Sequence, residues 1–235
     1  MSAFIAMAYE DRVELLTDGA ICDEETGALV DVRRKVWHSD TVPIAVTGRG
    51  NSEAVETVCV AIVTAAEMLG GFDPAMSWLI DALAERQGIG GNNALEIVVT
   101  GIAESRGPVV LYFNTAEGQV FDGAPVVPWV LTDMAGAAAA PVPSEIDTAL
   151  VEGLAFVVGG SMAMDAMRKT LTNDAFRPLL HERYTVGGCI DHTVISAEGV
   201  EVTRIHIWPD VTGEPIYPFS RGSLGADEPK YASGA

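Results

Sequence analysis

Apolar and polar positions alternate with two different rhythms along this chain. Residues 3–9 (AFIAMAY) and 12–17 (RVELLT) are apolar, partly alternating runs separated by Glu10-Asp11, a pattern that predicts a β-hairpin. A further apolar run at 43–48 (PIAVTG) predicts a buried strand closing on glycine. The rhythm then changes: Val55, Val58, Ala61, Ile62, Ala65 and Met68 recur every three or four residues after a polar turn at Ser52, Glu53 and Glu56, which predicts a helix stopped by Gly70-Gly71. Asp73-Pro74 opens a second helix with Met76, Leu79, Ile80 and Leu83 on one face, ended by Gly88-Ile89-Gly90-Gly91.

Strand rhythm returns at 94–102 (ALEIVVTGI), 108–114 (PVVLYFN) and 128–132 (PWVLT), followed by an Ala/Gly/Pro run at 135–143 that predicts a loop or a short small-residue helix. Residues 145–170 predict helix, with Ile146, Leu150, Leu154 and Val157 facing the core and Gly159-Gly160 as a potential break. Two last strands are expected at 189–196 and 200–207, joined by the Ala-Glu-Gly turn 197–199. Strands, two helices, strands, a helical segment and strands again describe an α+β fold with antiparallel sheets. No repeat of solenoid or propeller period is present. The economical organisation is one domain over 1–207, with a Pro-, Gly- and Ser-rich extended arm or tail at 208–235.

Composition narrows the function classes. With 14 basic against 33 acidic side chains in 235 residues, the formal charge is −19, so phosphate contacts would form against a repulsive field. Nucleic acid and anionic membrane are therefore not expected partners. A hydrophobic fraction of 49% excludes a disordered acidic chain. Three scattered cysteines (Cys22, Cys59, Cys189) make neither a disulfide framework nor a zinc motif, and no metal or other cofactor is predicted. The opening MSAFIAMAYEDR lacks a basic n-region, and no apolar stretch reaches the roughly 18 residues of a membrane span, which predicts a cytoplasmic protein.

The candidate chemistry lies at the start of the chain. A small residue at position 2 permits removal of Met1, leaving a free α-amine on a hydroxyl residue, Ser2. An α-amine titrates at about 7.7–8.0, so it can accept the hydroxyl proton near neutral pH. Such a nucleophile needs a nearby cation, an acid to hold that cation, and N–H groups for the oxyanion. The hairpin returns Asp18 toward the start of the first strand, Lys35 is expected to begin the next strand, and Gly48-Arg49-Gly50 ends strand 43–48.

From Ser2 to about residue 66 the chain resembles proteasome β-subunits and bacterial HslV, of the Ntn-hydrolase superfamily. The shared pattern is a hydroxyl residue opening a strand, a second strand ending in Asp-Gly (VELLTDGA), a Lys after a basic residue (Arg34-Lys35-Val36), and an apolar strand closing on Gly (IAVTGRGN) before a long helix. A looser likeness continues to about residue 115 and returns at Gly187-Gly188-Cys189-Ile190-Asp191. The Asp18-to-Lys35 interval is about one residue longer than in the family. The resemblance implies a four-layer αββα sandwich of antiparallel sheets between helices, Ser2 as nucleophile with its α-amine as base, Asp18 and Lys35 as the charge pair, and the Gly48 N–H as oxyanion donor. It also implies a homo-oligomer, such as a ring, cleaving a peptide or small amide; no docking element for the family's ATP-driven unfoldase is recognisable. Two departures stand out: the family nucleophile is usually Thr, and the Asp and Ser common before Gly-Gly are replaced within His181-Glu182-Arg183-Tyr184-Thr185-Val186.

Blander roles are open for the same residues. Asp18 with Gly19 is ordinary turn chemistry, Lys35 fits a surface ion pair, and Gly48 with Gly50 fits a strand-to-helix turn. His38-Ser39-Asp40 holds triad residue types, but sequence neighbours seldom face one another. His181, His192 and His206 lack ligand spacing, and Trp37, Trp78, Trp129 and Trp208 are read as core or interface. The function expected first is an amide hydrolase of the N-terminal-nucleophile type. The alternative is a catalytically silent fold serving as an assembly subunit of a ring or virion-like particle.

Overall fold

Strands β1 (Phe4–Ala8) and β2 (Arg12–Asp18) form the expected hairpin, in antiparallel register from Phe4 opposite Thr17 to Ala8 opposite Val13. The structure is a computed structural model; it describes residues 3–23, 25–87, 94–117, 120–121, 124–139, 154–171 and 182–219. A short hairpin of β3 (Ala20–Cys22) and β4 (Leu29–Val32) follows, absent from the sequence reading because so brief an element carries little periodicity. Lys35 lies ahead of the next strand, β5 (Trp37–His38), which pairs with β6 (Ile44–Arg49).

Helix α1 (Ser52–Leu69) is capped by the Asn51 side chain, which accepts the Ala54 N–H at 3.2 Å. It stops at Gly70, whose φ of 74° is open to glycine and closed to most other residues. Helix α2 (Phe72–Ala84) has no local side-chain cap; the Glu104 carboxylate, 32 residues away, accepts the Phe72 and Asp73 N–H groups at 2.8 Å each. That glutamate sits in the turn between β7 (Glu96–Ala103) and β8 (Gly107–Asn114).

Three expectations need correction. The chain does not form a strand over 128–132: Trp129 adopts φ 63° and donates its N–H to the Asn114 carbonyl, so pairing with β8 starts only at β11 (Thr132–Met134). The two-residue strands β9 (Val120–Phe121) and β10 (Ala124–Pro125) precede it. The small-residue run is neither loop nor helix over its described part, for β12 (Gly136–Ala139) is the edge strand beside β1. Its short side chains gave no alternation to read. Helix α3 (Phe156–Arg168) is shorter than expected and runs unbroken through Gly159-Gly160. Its buried face is Phe156, Ala163, Met164 and Met167, and Leu154 is exposed. Ile146, Leu150 and residues 140–153 lie outside the described residues. Gly160 is there for space: a Cβ would fall 2.4 Å from Leu16 Cδ1.

The last strands, β13 (Cys189–Ser196) and β14 (Gly199–Ile207), match their expected positions. The fold is therefore α+β, with two five-stranded antiparallel sheets ordered β12-β1-β2-β13-β14 and β11-β8-β7-β6-β5. One apolar cluster packs α1 and α2 residues such as Ile62, Phe72 and Leu79 on Ile44, Ile97 and Phe113. A second is shared by the sheets: Phe4, Val13 and Leu15 meet Ala45, Val98 and Tyr112. A third packs Met164 and Met167 of α3 on Ile5, Leu16 and Ile190. Each fully buried side chain of this kind contributes about 1.5–3 kcal/mol. After β14 the chain folds back on the β3–β4 hairpin, where Leu29 and Glu214 are backbone partners and Ile216 is buried with Ala20 and Leu29. Residues 220–235 of the expected arm lie outside the described residues. No helix among the described residues is long and apolar enough to cross a membrane.

Candidate active site

The Asp-Gly that closes β2 is the hub of the candidate site. Asp18 is fully buried, and both carboxylate oxygens are occupied. Oδ1 accepts the Ala3 N–H at 2.9 Å and the Lys35 ammonium at 3.0 Å. Oδ2 accepts the N–H groups of Ala20 and Gly187, each at 3.2 Å. Lys35 is buried as well, so the pair is shielded from solvent and salt. A buried ion pair costs several kcal/mol in desolvation for each ion and persists only when hydrogen bonds satisfy the remaining lone pairs, as three backbone donors do here.

Each neighbour arrives from a different element. Ala3 leads into β1, and the hairpin register lays it beside the end of β2; the Asp18 N–H donates back to the Ala3 carbonyl at 3.1 Å. Lys35 comes from the segment between the sheets, and its carbonyl accepts the Thr47 hydroxyl at 2.7 Å. Thr47 precedes Gly48 on β6, so one hydrogen bond connects the Lys35 backbone to the strand that carries Gly48. Gly187 belongs to the turn entering β13, 169 residues from Asp18.

The glycines are explained by close approach. Gly19 donates to the carbonyls of Gly187 and Cys189 at 3.1 Å each, and a Cβ on it would lie 2.3 Å from Cys189 Sγ. Gly48 lies inside β6, not beyond its end, where a Cβ would meet the Glu96 carbonyl at 2.5 Å and Ile97 Cδ1 at 2.6 Å. Gly188 holds φ 74°.

Cys189 sits next to this hub. Burial, and then the neighbouring Asp191 carboxylate, push its thiol up to about 11. Asp191 is itself buried and is gripped by both Arg204 Nε (2.8 Å) and Nη2 (3.1 Å). The thiol is thus kept protonated at neutral pH and is a poor nucleophile there. Burial likewise raises Cys22 and Cys59.

Of the four residues singled out in the sequence, the structure brings Asp18 and Lys35 into direct contact and places Gly48 one residue from the Thr47 that bonds Lys35. Ser2 lies outside the described residues; Ala3, bonded to it in the chain, is held by Asp18. The sequence reading did not assign the Gly187 N–H and Thr47 hydroxyl to this hub, although Gly187-Gly188 stood out as a motif. His38 ends β5, and Ser39-Asp40 enter the turn that follows, in which Ser39 Oγ accepts the N–H groups of Thr41 and Val42. His192 pairs with Glu14 at 2.9 Å on the neighbouring strand, His206 lies edge-on to Trp208, and His181 is outside the described residues. Among the described residues no cluster of three His, Cys, Asp or Glu side chains is arranged to hold a metal ion. Comparison of the chain with protein-family models and with curated proteins returns no match to either.

Proposed function

We propose that this protein is an amide-bond hydrolase of the N-terminal-nucleophile type, built as a four-layer αββα sandwich and using Ser2 after removal of Met1. The observation that carries the reading is the buried Asp18–Lys35 pair at 3.0 Å, whose carboxylate also holds the Ala3 N–H, one peptide unit from Ser2. A buried ammonium beside an amine favours the amine's neutral form, which is the form able to act as a base.

In this reading the Ser2 hydroxyl attacks the substrate carbonyl while its proton passes to the α-amine through a water. The tetrahedral oxyanion is met by the Gly48 N–H. The C–N bond breaks, the leaving amine takes the proton, and the ester on Ser2 is hydrolysed by water with the same amine as base. Lys35 supplies the positive field, and Asp18 fixes Lys35 and the start of β1 together. The substrate class is a peptide or small amide.

A second reading, a silent assembly subunit, is favoured by apolar side chains exposed on the helices, including Met68 and Val60 of α1, Ile80 of α2 and Val158 and Met162 of α3. Intact mass after incubation with a β-lactone separates the two. The lactone ring opens onto Ser2 Oγ, the acyl C–O bond of the ring breaks, and the proton ends on the released β-hydroxyl, so the adduct weighs one whole lactone. Loss of Met1 with one adduct, absent in Ser2→Ala, supports the hydrolase. Retained Met1 without an adduct overturns it in favour of the assembly role.

A further inference from the structure

We infer that Arg168 and Asp210, a buried ion pair far from both in sequence, are positioning residues for the Asp18–Lys35 centre. The inference rests on the hydrolase reading above. Arg168 is the last residue of α3, and Asp210 follows β14; their side chains are 3% and 4% exposed. The pair is bidentate: Nη1 donates to Oδ2 at 2.8 Å and Nη2 to Oδ1. The guanidinium lies over the Trp208 ring, 4.9 Å from its centroid.

What the pair grips is the turn that feeds Asp18. Arg168 Nη1 also donates to the Val186 carbonyl at 3.0 Å, and Asp210 Oδ2 accepts the Gly188 N–H at 2.7 Å. The Trp208 N–H donates to the Gly188 carbonyl at 3.0 Å. Residues 186 and 188 are therefore anchored, and the residue between them, Gly187, presents its N–H to Asp18 Oδ2 and its carbonyl to the Gly19 N–H. The fit leaves no room for a side chain, since a Cβ on Gly187 would stand 2.6 Å from Asp210 Oδ2 and 2.7 Å from Arg168 Nη1.

A carboxylate held by four donors cannot rotate without breaking several bonds. Releasing the turn removes one donor from Oδ2 and one of the two carbonyls that hold the Gly19 N–H, so Asp18 gains freedom and Lys35 with it. In the hydrolase reading a cation held less firmly lowers the basicity of the α-amine less, so the rate rises with pH only at higher pH.

The test uses Arg168→Lys, Asp210→Asn and, as control, Lys169→Ala, which removes only an exposed pair with Asp165. Two quantities are read on full-length protein: hydrogen exchange of the Gly187 amide by NMR, and the rate of β-lactone acylation against pH. Both pair variants are expected to speed Gly187 exchange about tenfold or more, while β7 amides keep their wild-type rates. They are expected to slow acylation by about tenfold and move its rising limb up by about half a pH unit or more, whereas Lys169→Ala changes nothing. A purely structural pair would lower thermal stability and leave the pH profile of the folded protein where it was; that result, or unchanged Gly187 exchange, overturns the inference. If Asp210→Asn does not fold, Arg168→Lys, which keeps the charge and loses the bidentate fork, carries the same comparison. Wild-type protein that takes up no lactone overturns the hydrolase reading instead, a result separable from an acylated wild type whose variants behave identically.

Discussion

Ala3 and Asp18 are bonded to each other twice: the Ala3 N–H donates to Asp18 Oδ1 at 2.9 Å, and the Asp18 N–H donates to the Ala3 carbonyl at 3.1 Å. One bond uses the ladder of the β1–β2 hairpin and the other uses the side chain. Together they fix the first described residue against a carboxylate that also holds a buried lysine. Any chemistry at the start of the chain inherits that geometry.

The Asp18–Lys35 pair should therefore behave as a coupled unit. Removing either partner strands the other in a dry site, so Asp18→Asn and Lys35→Met are each expected to lose about 3–5 kcal/mol of unfolding free energy. The double variant should lose clearly less than the sum of the two. Urea titrations of the three variants measure this coupling, and additive losses would count against a direct pair. Each variant that stays folded should also lose β-lactone acylation.

Gly48→Ala tests whether β6 tolerates any side chain at that position. The added methyl meets the Glu96 carbonyl at 2.5 Å, and a backbone atom inside a ladder cannot step aside. An overpacking loss of about 1–3 kcal/mol is expected, read as a lower Tm. Wild-type stability would show that the strands part easily here.

Alkaline pH should weaken the fold through the thiols. The Cys189 pKa rises from 9.0 to about 11 in the folded state, so between those values the unfolded chain has released a proton that the folded chain keeps. The unfolded state then binds fewer protons, and stability falls as pH rises from 9 to 11, by on the order of 2 kcal/mol from this group. Below pH 9 the contribution is fully present. Urea unfolding at pH 8.5 and 10.5 should show the loss, and Cys189→Ala should shrink it; an equal loss in that variant would assign the slope to other groups.

Glu104 acts as a remote cap for α2. Glu104→Ala removes the acceptor for the N–H groups of Phe72 and Asp73 and a negative charge at the helix N-terminus, and is expected to cost about 1–2 kcal/mol. Glu104→Gln should recover part of that, because an amide oxygen still accepts but the charge is gone. Thermal unfolding followed by circular dichroism compares the two, and equal stability of both with wild type would refute the capping role.

Periodicity alone placed β1, β2, β6, α1, α2, β7, β8, β13 and β14 close to where they lie, because each alternates or repeats over enough residues to expose a buried face. The Asp-Gly at the end of VELLTDGA and the following Lys35 were visible as short local patterns, and the Gly187-Gly188 pair only through the family resemblance. Where side chains are small or the segment is short, the signal failed. The edge strand Gly136–Ala139 has no alternation, and Trp129 breaks its strand through a backbone angle that no hydrophobic pattern encodes.

What only the tertiary structure decided is which distant groups meet. A burial pattern states that a residue faces inward, but not which element covers it. Sheet order sets that, and it brings Gly187 to Asp18, Thr47 to Lys35, and Arg168 to Asp210. The sequence by itself determined the longer elements and most of their inward positions, since those depend on neighbours a few residues away, though Met68, Ile80 and Leu154, expected inward, are exposed. Apart from the local Ala20 N–H, the charge pair, its donors and the clamp on the Gly187 turn depend on contacts between residues 12 to 169 positions apart. These form only when the sheets and the helices on them close over them and remove the water that would otherwise satisfy each group singly.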